Sequence, residues 1–168
     1  MFRVQGMKSK AVTVLAAAAA LGGLATTAEA APAAVSATIA NSNSGLCLAV
    51  PGASTANGTG LIQWTCNGGD EQQWTRTAVG TNTYTFKNVN SGKCLAIPAS
   101  STANGVQAVQ WTCTGNADQN WVVSHGSYGT FYNPVTGHCL AVPGASKSAG
   151  TEVIQWTCGT GLEQSWEW

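Results

Sequence analysis

One unit occurs three times in this chain, and this repetition constrains the fold more than any other feature of the sequence. Each copy contains Gly-x-Cys-Leu-Ala-Val/Ile-Pro, then Gln-Trp-Thr-Cys, then Gln-x-Trp. In every copy the two cysteines are 19 residues apart, and the tryptophan of Gln-x-Trp follows the second cysteine by 8 residues. Corresponding residues recur at intervals of 47 and 45. We therefore expect three equivalent units, at about residues 38–84, 85–129 and 130–168.

The local pattern within each copy is that of short β-strands. Short apolar runs stand between turn signals such as Asn57-Gly58 and Asn104-Gly105. About four strands per copy would give roughly twelve in all. A propeller blade also has this size, but propellers close with roughly four to eight blades, whereas this chain has three copies of the unit. We therefore predict an all-β fold, a β-trefoil with pseudo-threefold symmetry.

The N-terminal residues 1–30 have the pattern of a secretory signal peptide. Basic residues stand before an alanine-rich apolar run at 11–24, and a small-x-small cleavage site follows at 28–30. An apolar run of 14 residues is too short to span a bilayer. We therefore expect a secreted, extracellular protein in which residues 31–37 form a flexible lead-in to a single domain at 38–168.

The six cysteines of this small exported domain indicate three disulfides rather than a metal site. Repeat symmetry leaves two families of pairing: either each copy closes on itself, or bonds link one copy to the next. The second family cannot close symmetrically in a linear chain without joining Cys158 back to Cys47. We therefore favour one bond within each copy, namely Cys47–Cys66, Cys94–Cys113 and Cys139–Cys158.

The charged residues narrow the range of partners. After residue 30 the chain carries four Lys or Arg against six Asp or Glu side chains, so its formal charge is about −2. No basic patch is present to neutralise phosphates, which argues against nucleic-acid binding. The sequence has no polybasic or amphipathic helical stretch that would bind a membrane surface. The uncharged polar surface suits hydroxyl-rich partners, and no cofactor or metal is expected.

The Gln-x-Trp motifs, the Cys-Leu-x-Val/Ile strands and the in-repeat cysteine pairs resemble those of ricin-B-type lectin domains, the carbohydrate-binding modules of bacterial secreted proteins. The resemblance covers residues 38–168. It implies a β-trefoil with a sugar site in each repeat. Because the Gln-x-Trp element of the family is mainly structural, its tryptophans are expected in the core. These are Trp74, Trp121 and Trp166.

In this family each sugar site uses an aspartate, a glutamine, an aromatic residue and an asparagine. The aromatic residue is retained as Trp64, Trp111 and Trp156. The aspartate position holds Ala49, Ala96 and Ala141. The glutamine position holds Ile62, Val109 and Ile154. The asparagine position holds Glu71, Asp118 and Glu163. The candidate carbohydrate-binding residues are therefore the three tryptophans and the three acids.

This uniform departure from the family pattern has two interpretations. Either a unit without a site was copied into a structural trefoil, or the pocket was recoded, with an apolar floor and a carboxylate that accepts sugar hydroxyls. An inward tryptophan ring would only pack, whereas an outward ring would be free to stack on a sugar. We expect up to three weak sites that act multivalently on neutral or amino-sugar-containing glycans.

Enzyme activity is not expected. The sequence lacks Gly-x-Ser-x-Gly and His-Glu-x-x-His, and disulfide pairing would leave no cysteine as a nucleophile. A glycosidase needs two carboxylates that face each other across a bond, whereas the recurring acids lie in separate copies. We predict a monomeric, non-catalytic lectin-like module. The alternative is a trefoil that has lost sugar binding and serves as a protein-interaction or protease-inhibitor scaffold.

Overall fold

The computed structural model describes residues 35–124 and 129–168, which form β-strands connected by turns. The predicted signal peptide at 1–30 lies outside the described residues. The strands are β1 (Ser36–Thr38), β2 (Ala40–Asn41), β3 (Cys47–Ala49), β4 (Thr59–Gly60), β5 (Ile62–Trp64), β6 (Gln73–Gly80), β7 (Thr83–Asn88), β8 (Cys94–Ala96), β9 (Val109–Trp111), β10 (Trp121–Val123), β11 (Phe131–Asn133), β12 (His138–Ala141), β13 (Ile154–Trp156) and β14 (Trp166–Glu167). Short 3-10 turns lie at Pro51–Ala53, Asp70–Gln72, Pro98–Ser100, Ala117–Gln119, Pro143–Ala145 and Leu162–Gln164. Within this described part of the chain, no helix is long and apolar enough to cross a membrane.

The fourteen strands follow the predicted four-strand repeat. Ile39 alone separates β1 from β2, and Leu61 alone separates β4 from β5. Each of these pairs is one strand interrupted at a single buried residue. Counted in this way the strands number twelve, four in each repeat. The prediction of an all-β chain with about twelve short strands is confirmed.

The first and last strands of the repeats close into a barrel. Strand β1 pairs with β6, β6 with β7, β7 with β10 and β10 with β11, and all of these pairs are antiparallel. Strand β14 pairs with β2. A bridge between Gly129, two residues before β11, and Trp166 of β14 completes the ring. Each strand of this ring has a paired neighbour on both sides, as in a closed barrel.

The two middle strands of each repeat form hairpins, β3 with β5, β8 with β9 and β12 with β13. The repeats meet at a ring of backbone hydrogen bonds. Leu61 N donates to Ala108 O (2.8 Å), Ala108 N donates to Val153 O (2.9 Å), and Val153 N donates to Leu61 O (2.9 Å). These residues are equivalent in the three repeats, and all are fully buried. The cyclic set marks the pseudo-threefold axis of the predicted β-trefoil.

The tryptophans of the Gln-x-Trp motifs are core residues, as predicted. Trp74, Trp121 and Trp166 are 2%, 0% and 0% exposed. Each indole Nε1 donates to a buried leucine carbonyl in its own repeat, at 3.0–3.1 Å; the acceptors are Leu48, Leu95 and Leu140. Since the one polar atom of each ring is satisfied, a large apolar side chain is buried without an unpaired donor.

One disulfide lies within each repeat, which confirms the favoured pairing. The bonds are Cys47–Cys66, Cys94–Cys113 and Cys139–Cys158, with Cα–Cα distances of 5.2, 5.1 and 5.0 Å. Among the described residues no cysteine is free. Each bond ties the first strand of a hairpin to the segment that follows its second strand.

The N-terminal boundary of the domain differs from the prediction. Strand β1 begins at Ser36, inside the segment 31–37 that was expected to be a flexible lead-in. The strand pairs in register with residues 73–75 of β6. The Ser-Ala-Thr sequence of β1 has no strand pattern of its own, so tertiary pairing with β6 supplies the order. The prediction of a flexible segment was therefore wrong at Ser36 and Ala37.

Candidate binding pockets

The three retained aromatic residues point outward. Trp64, Trp111 and Trp156 are 46%, 44% and 46% exposed, whereas the glutamine before each of them is fully buried. Successive side chains of a strand point to opposite sides, so burial of the glutamine requires exposure of the tryptophan. The direction of these rings, which the sequence left open, makes them accessible to a ligand.

The buried glutamine fixes this arrangement through bonds to a neighbouring repeat. Gln110 Nε2 donates to the carbonyls of Ser54 (2.8 Å) and Ala56 (2.9 Å), which belong to the first repeat. The equivalent glutamines make the same two bonds, from Gln63 to Ser146 and Ser148 and from Gln155 to Ser101 and Ala103. A buried amide without partners costs about 1–3 kcal/mol, so turning the strand to bury the tryptophan is unfavourable.

Each outward tryptophan lines a pocket, and the three pockets are equivalent by the repeat. Their volumes are about 410, 500 and 330 Å³ in the first, second and third repeats. The first pocket has Ala49 and Ile62 as its floor, Trp64 as a wall and Glu71 at its rim. The same positions line the others: Ala96, Val109, Trp111 and Asp118, and Ala141, Ile154, Trp156 and Glu163. The structure therefore brings one predicted aromatic residue and one predicted acid together in each pocket.

The floor of each pocket is apolar. The alanines at the family's aspartate position are only 1–2% exposed; they are Ala49, Ala96 and Ala141. Neither they nor the Ile or Val beside them offer a side-chain hydrogen-bonding group. A hydroxyl directed at this floor would lose its hydration without compensation. A ligand must therefore direct its polar groups to the rim and to solvent.

The acid at each rim is positioned by its backbone. The carbonyl of Glu71 accepts hydrogen bonds from Val50 N (3.1 Å) and Asn88 Nδ2 (3.0 Å). The other acids have the same two kinds of donor, Ile97 N and Asn133 Nδ2 for Asp118, and Val142 N and Asn41 Nδ2 for Glu163. From the part of the chain that the structure describes, the carboxylate of Glu71 accepts one bond, from Asn67 Nδ2 at 3.0 Å. Because a carboxylate accepts about four hydrogen bonds, most of its capacity remains for a ligand.

A tight turn that the sequence interpretation missed forms another part of each pocket. In the first pocket this is Pro51–Ala53, where Gly52 has φ 60° and Ala53 has φ 50°. Alanine and serine adopt the same left-handed conformation in the other turns, at Ala99, Ser100 and Ala145. The signal was present, since a proline follows the Cys-Leu-Ala-Val/Ile strand in every copy and proline favours the start of a turn.

Each tryptophan also borders a glycine of another repeat. A Cβ atom built on Gly58 would lie 3.4 Å from Cζ3 of Trp111. The same relation holds at the other two pockets, at 3.7 Å for Gly105 with Trp156 and 3.5 Å for Gly150 with Trp64. The edge of each tryptophan ring therefore lies at a seam between two repeats, although the residues that line each pocket come from one repeat. No motif inside a single repeat indicates this contact.

The seams differ in the side-chain hydrogen bonds that cross them. Asn57 Nδ2 donates to Thr112 Oγ1 (3.0 Å), and Thr112 N donates to Asn57 Oδ1 (2.9 Å). Asn104 and Thr157 make the same pair of bonds at the next seam, at 3.0 and 2.7 Å. The third seam has Ala149 in place of the asparagine. The pocket of Trp64 therefore has a neighbouring loop without these side-chain bonds.

A family model accounts for nearly all of the described residues. Residues 35–166 match the model of the ricin-type beta-trefoil lectin domain. No curated protein sequence matches the chain.

Solved structures share this architecture. The designed three-fold symmetric protein ThreeFoil is 32% identical with a TM-score of 0.77, over 79% of this chain and 96% of ThreeFoil. The exo-beta-1,3-galactanase 1,3Gal43A from Clostridium thermocellum is 30% identical with a TM-score of 0.77, over 81% of this chain but only 30% of the galactanase. The ricin B-like lectin of Macrolepiota procera, solved in complex with lactose, is 22% identical with a TM-score of 0.66, over 80% of this chain and 94% of the lectin, and shows the same fold.

Proposed function

Because the chain belongs to the ricin-type β-trefoil lectin family, we propose that it is a non-catalytic carbohydrate-binding module with a glycan site in each of its three pockets. One observation carries the proposal: three equivalent, half-exposed tryptophans each stand beside an apolar pocket that contains a carboxylate. The likeness to 1,3Gal43A covers 30% of that galactanase, so its activity is not assigned to this chain.

The lining of the pockets suits the surface of a sugar. A pyranose ring can lay its C–H face on an exposed indole, and ring contacts contribute about 0.5–1.5 kcal/mol beyond the area they bury. The rim carboxylate accepts hydroxyl hydrogen bonds, each worth about 1.5–3 kcal/mol where water is excluded. Volumes of 330–500 Å³ are in the usual range of small-molecule sites. Neutral and amino-sugar-containing glycans both satisfy these conditions.

We expect each site to be weak and the three together to be strong. One stacked ring with two or three hydrogen bonds in an open pocket holds a monosaccharide in the millimolar range, at about −4 kcal/mol. Three sites on one rigid body raise the effective concentration on a polymer. A monomer should therefore retain polysaccharides far better than it binds free monosaccharides.

Action outside the cell is part of the proposal. The pattern of residues 1–30 supports it, because a basic start, an apolar run and a small-x-small site are typical of export. The three disulfides support it as well, since such bonds persist in oxidising compartments.

Retention on insoluble polysaccharides and on a glycan array tests this function. The variant W64A/W111A/W156A should lose retention and keep its melting temperature, because these rings lie outside the core. The matched control is V79A/V135A/L162A, which removes apolar side chains that are 51%, 43% and 59% exposed and do not line the three pockets. The control should bind as the parent does.

Three outcomes would count against the proposal. If the tryptophan variant binds as well as the parent, the pockets are not the glycan sites. If the parent binds no polysaccharide and no array glycan, the carbohydrate function is wrong, and a protease-inhibition panel would then test the scaffold function. Release of new reducing ends from a bound polysaccharide would contradict the non-catalytic role.

A further inference from the structure

The acid of the pocket rim is kept in every repeat, although its neighbour is not. The rim position holds Glu71, Asp118 and Glu163, all half-buried. The position before it is exposed and holds Asp70, Ala117 and Leu162, which share neither charge nor polarity. A negative charge therefore recurs at the position where partial burial makes it more costly. This contrast within one chain indicates that the charge serves the pocket.

The length of the acid is matched to the space around it. The carboxylate of Glu71 lies over Gly69, and that of Glu163 lies over Gly161, in space that a Cβ atom on either glycine would fill. In the second repeat Asn116 takes the place of the glycine, and the acid there is the shorter Asp118. Both combinations place one carboxylate at the rim.

The protein does not supply a cation to these carboxylates from the pocket lining. Among the described residues that line the three pockets, none is a lysine, an arginine or a histidine. The rest of the lining is mainly Trp, Pro, Ala and Ile or Val, and an apolar surrounding strengthens the attraction between opposite charges. An indole ring also attracts a cation held over its face. The pockets are therefore complementary to a ligand that has an apolar face and a positive charge.

Building on the proposed glycan function, we propose that the pockets select sugar residues with a free amino group, as in de-N-acetylated polymers of hexosamines. The ammonium group donates charge-assisted hydrogen bonds to the rim carboxylate, while a C–H face of the sugar covers the tryptophan. Hydroxyl and acetamido groups are uncharged donors and bind a carboxylate less strongly than an ammonium does. Because the apolar floor adds no polar selectivity, the charge on the ligand dominates the choice of sugar.

Three β-1,4-linked polymers isolate this charge, since they differ only in the substituent at C2: glucose, N-acetylglucosamine and glucosamine units. Binding isotherms at fixed ionic strength and about pH 6 should show at least about tenfold tighter binding to the glucosamine polymer. Raising the pH to about 9 deprotonates the sugar amine and should remove this preference.

Two charge-matched variants separate the pockets from the general acidity of the protein. E71Q/D118N/E163Q removes three negative charges inside the pockets, and D70N/E152Q/E167Q removes three outside them. The first should bind the glucosamine polymer about tenfold more weakly, and the second should stay within a factor of about two of the parent. Unchanged melting temperatures confirm that both are folded, and the single variant E71Q, which should lose part of the avidity, serves if the triple variant does not fold.

Equal losses in the two variants would overturn the selection of amino sugars, because the attraction would then be to the acidic protein as a whole. Tryptophan-dependent binding to the glucose or N-acetylglucosamine polymer that is as tight as binding to the glucosamine polymer would also overturn it, while the carbohydrate function would stand. If the protein binds none of the three polymers and no glycan of an array, both the selection of amino sugars and the carbohydrate function are wrong.

Discussion

Thr136 Oγ1 and Gln155 Oε1 are both buried, and neither has a hydrogen-bond partner among the residues that the structure describes. In the other two repeats a serine takes the place of Thr136, and its hydroxyl donates to the equivalent glutamine at 2.7 Å. Threonine is β-branched and has a restricted χ1 angle, so its hydroxyl does not take the direction of the serine hydroxyl. The third repeat therefore lacks one of the bonds that fix the buried glutamine beside Trp156.

Thr136→Ser should stabilise the protein by restoring this bond. A net intramolecular hydrogen bond contributes about 0.5–1.5 kcal/mol, so the free energy of unfolding should rise by about 1 kcal/mol. Denaturant titration of the variant and the parent measures this difference. Ser91→Thr is the reverse change and should lower the free energy of unfolding by a similar amount; a rise in that variant would contradict the role assigned to the serine.

Ala149→Asn should give the third seam the side-chain hydrogen bonds that the other two seams have. The new asparagine faces the position of Thr65, which is equivalent to Thr112 and Thr157. Two exposed hydrogen bonds should raise the free energy of unfolding by roughly 0.5–1 kcal/mol. Ala149→Gln carries the same amide on a longer side chain and should give no such gain, so equal stabilities of the two variants would show that the seam bond does not form.

Trp166 and Trp156 have the same side chain, but its removal should lower stability at Trp166 and polysaccharide avidity at Trp156. Trp166 is fully buried and donates to Leu140 O, so Trp166→Ala should cost about 3–5 kcal/mol of stability. Trp156 is 46% exposed, and Trp156→Ala should change stability little while lowering polysaccharide avidity. Thermal melts and pull-downs on both variants make the comparison. A core-sized loss of stability in Trp156→Ala would place that ring in the packing instead of the site.

Gly58→Gln should block the pocket of the second repeat, because the new side chain would start beside the edge of Trp111. Gly68→Gln is its control, since Gly68 has the same φ of 77° and its Cβ atom would meet nothing within 4 Å. Both variants should lose about 1–2 kcal/mol from the left-handed backbone. Only Gly58→Gln should also lose avidity for polysaccharide; equal avidity in the two would show that the seam is not part of the site.

Much of the fold could be predicted because the same sequence unit occurs three times. Repeat symmetry left two families of disulfide pairing, and the structure has the favoured one, as in Cys47–Cys66. The burial of Trp74 followed from its motif. The order of Ser36–Thr38 could not be predicted, because it depends on pairing with β6 and not on the residues of the segment itself.

The site was only partly predictable. The residue types of Trp64 and Glu71 marked them as candidates, and the structure places both in one pocket. The direction of Trp64 depends on Gln63, whose partners Ser146 and Ser148 lie in another repeat. A contact across a seam leaves no periodic signal within a repeat, so the sequence could not decide between packing and exposure.

Indole NMR of the seven tryptophans tests the location of the glycan sites most directly. Titration of the ¹⁵N-labelled protein with an oligosaccharide of the best-retained polymer should shift the Nε1–H signals of the exposed rings, which are Trp64, Trp111 and Trp156. The buried rings of Trp74, Trp121 and Trp166, bonded to leucine carbonyls, should not shift. Saturable shifts confined to the three exposed rings are the expected result. Binding that leaves those three signals unmoved would contradict carbohydrate recognition in the three pockets.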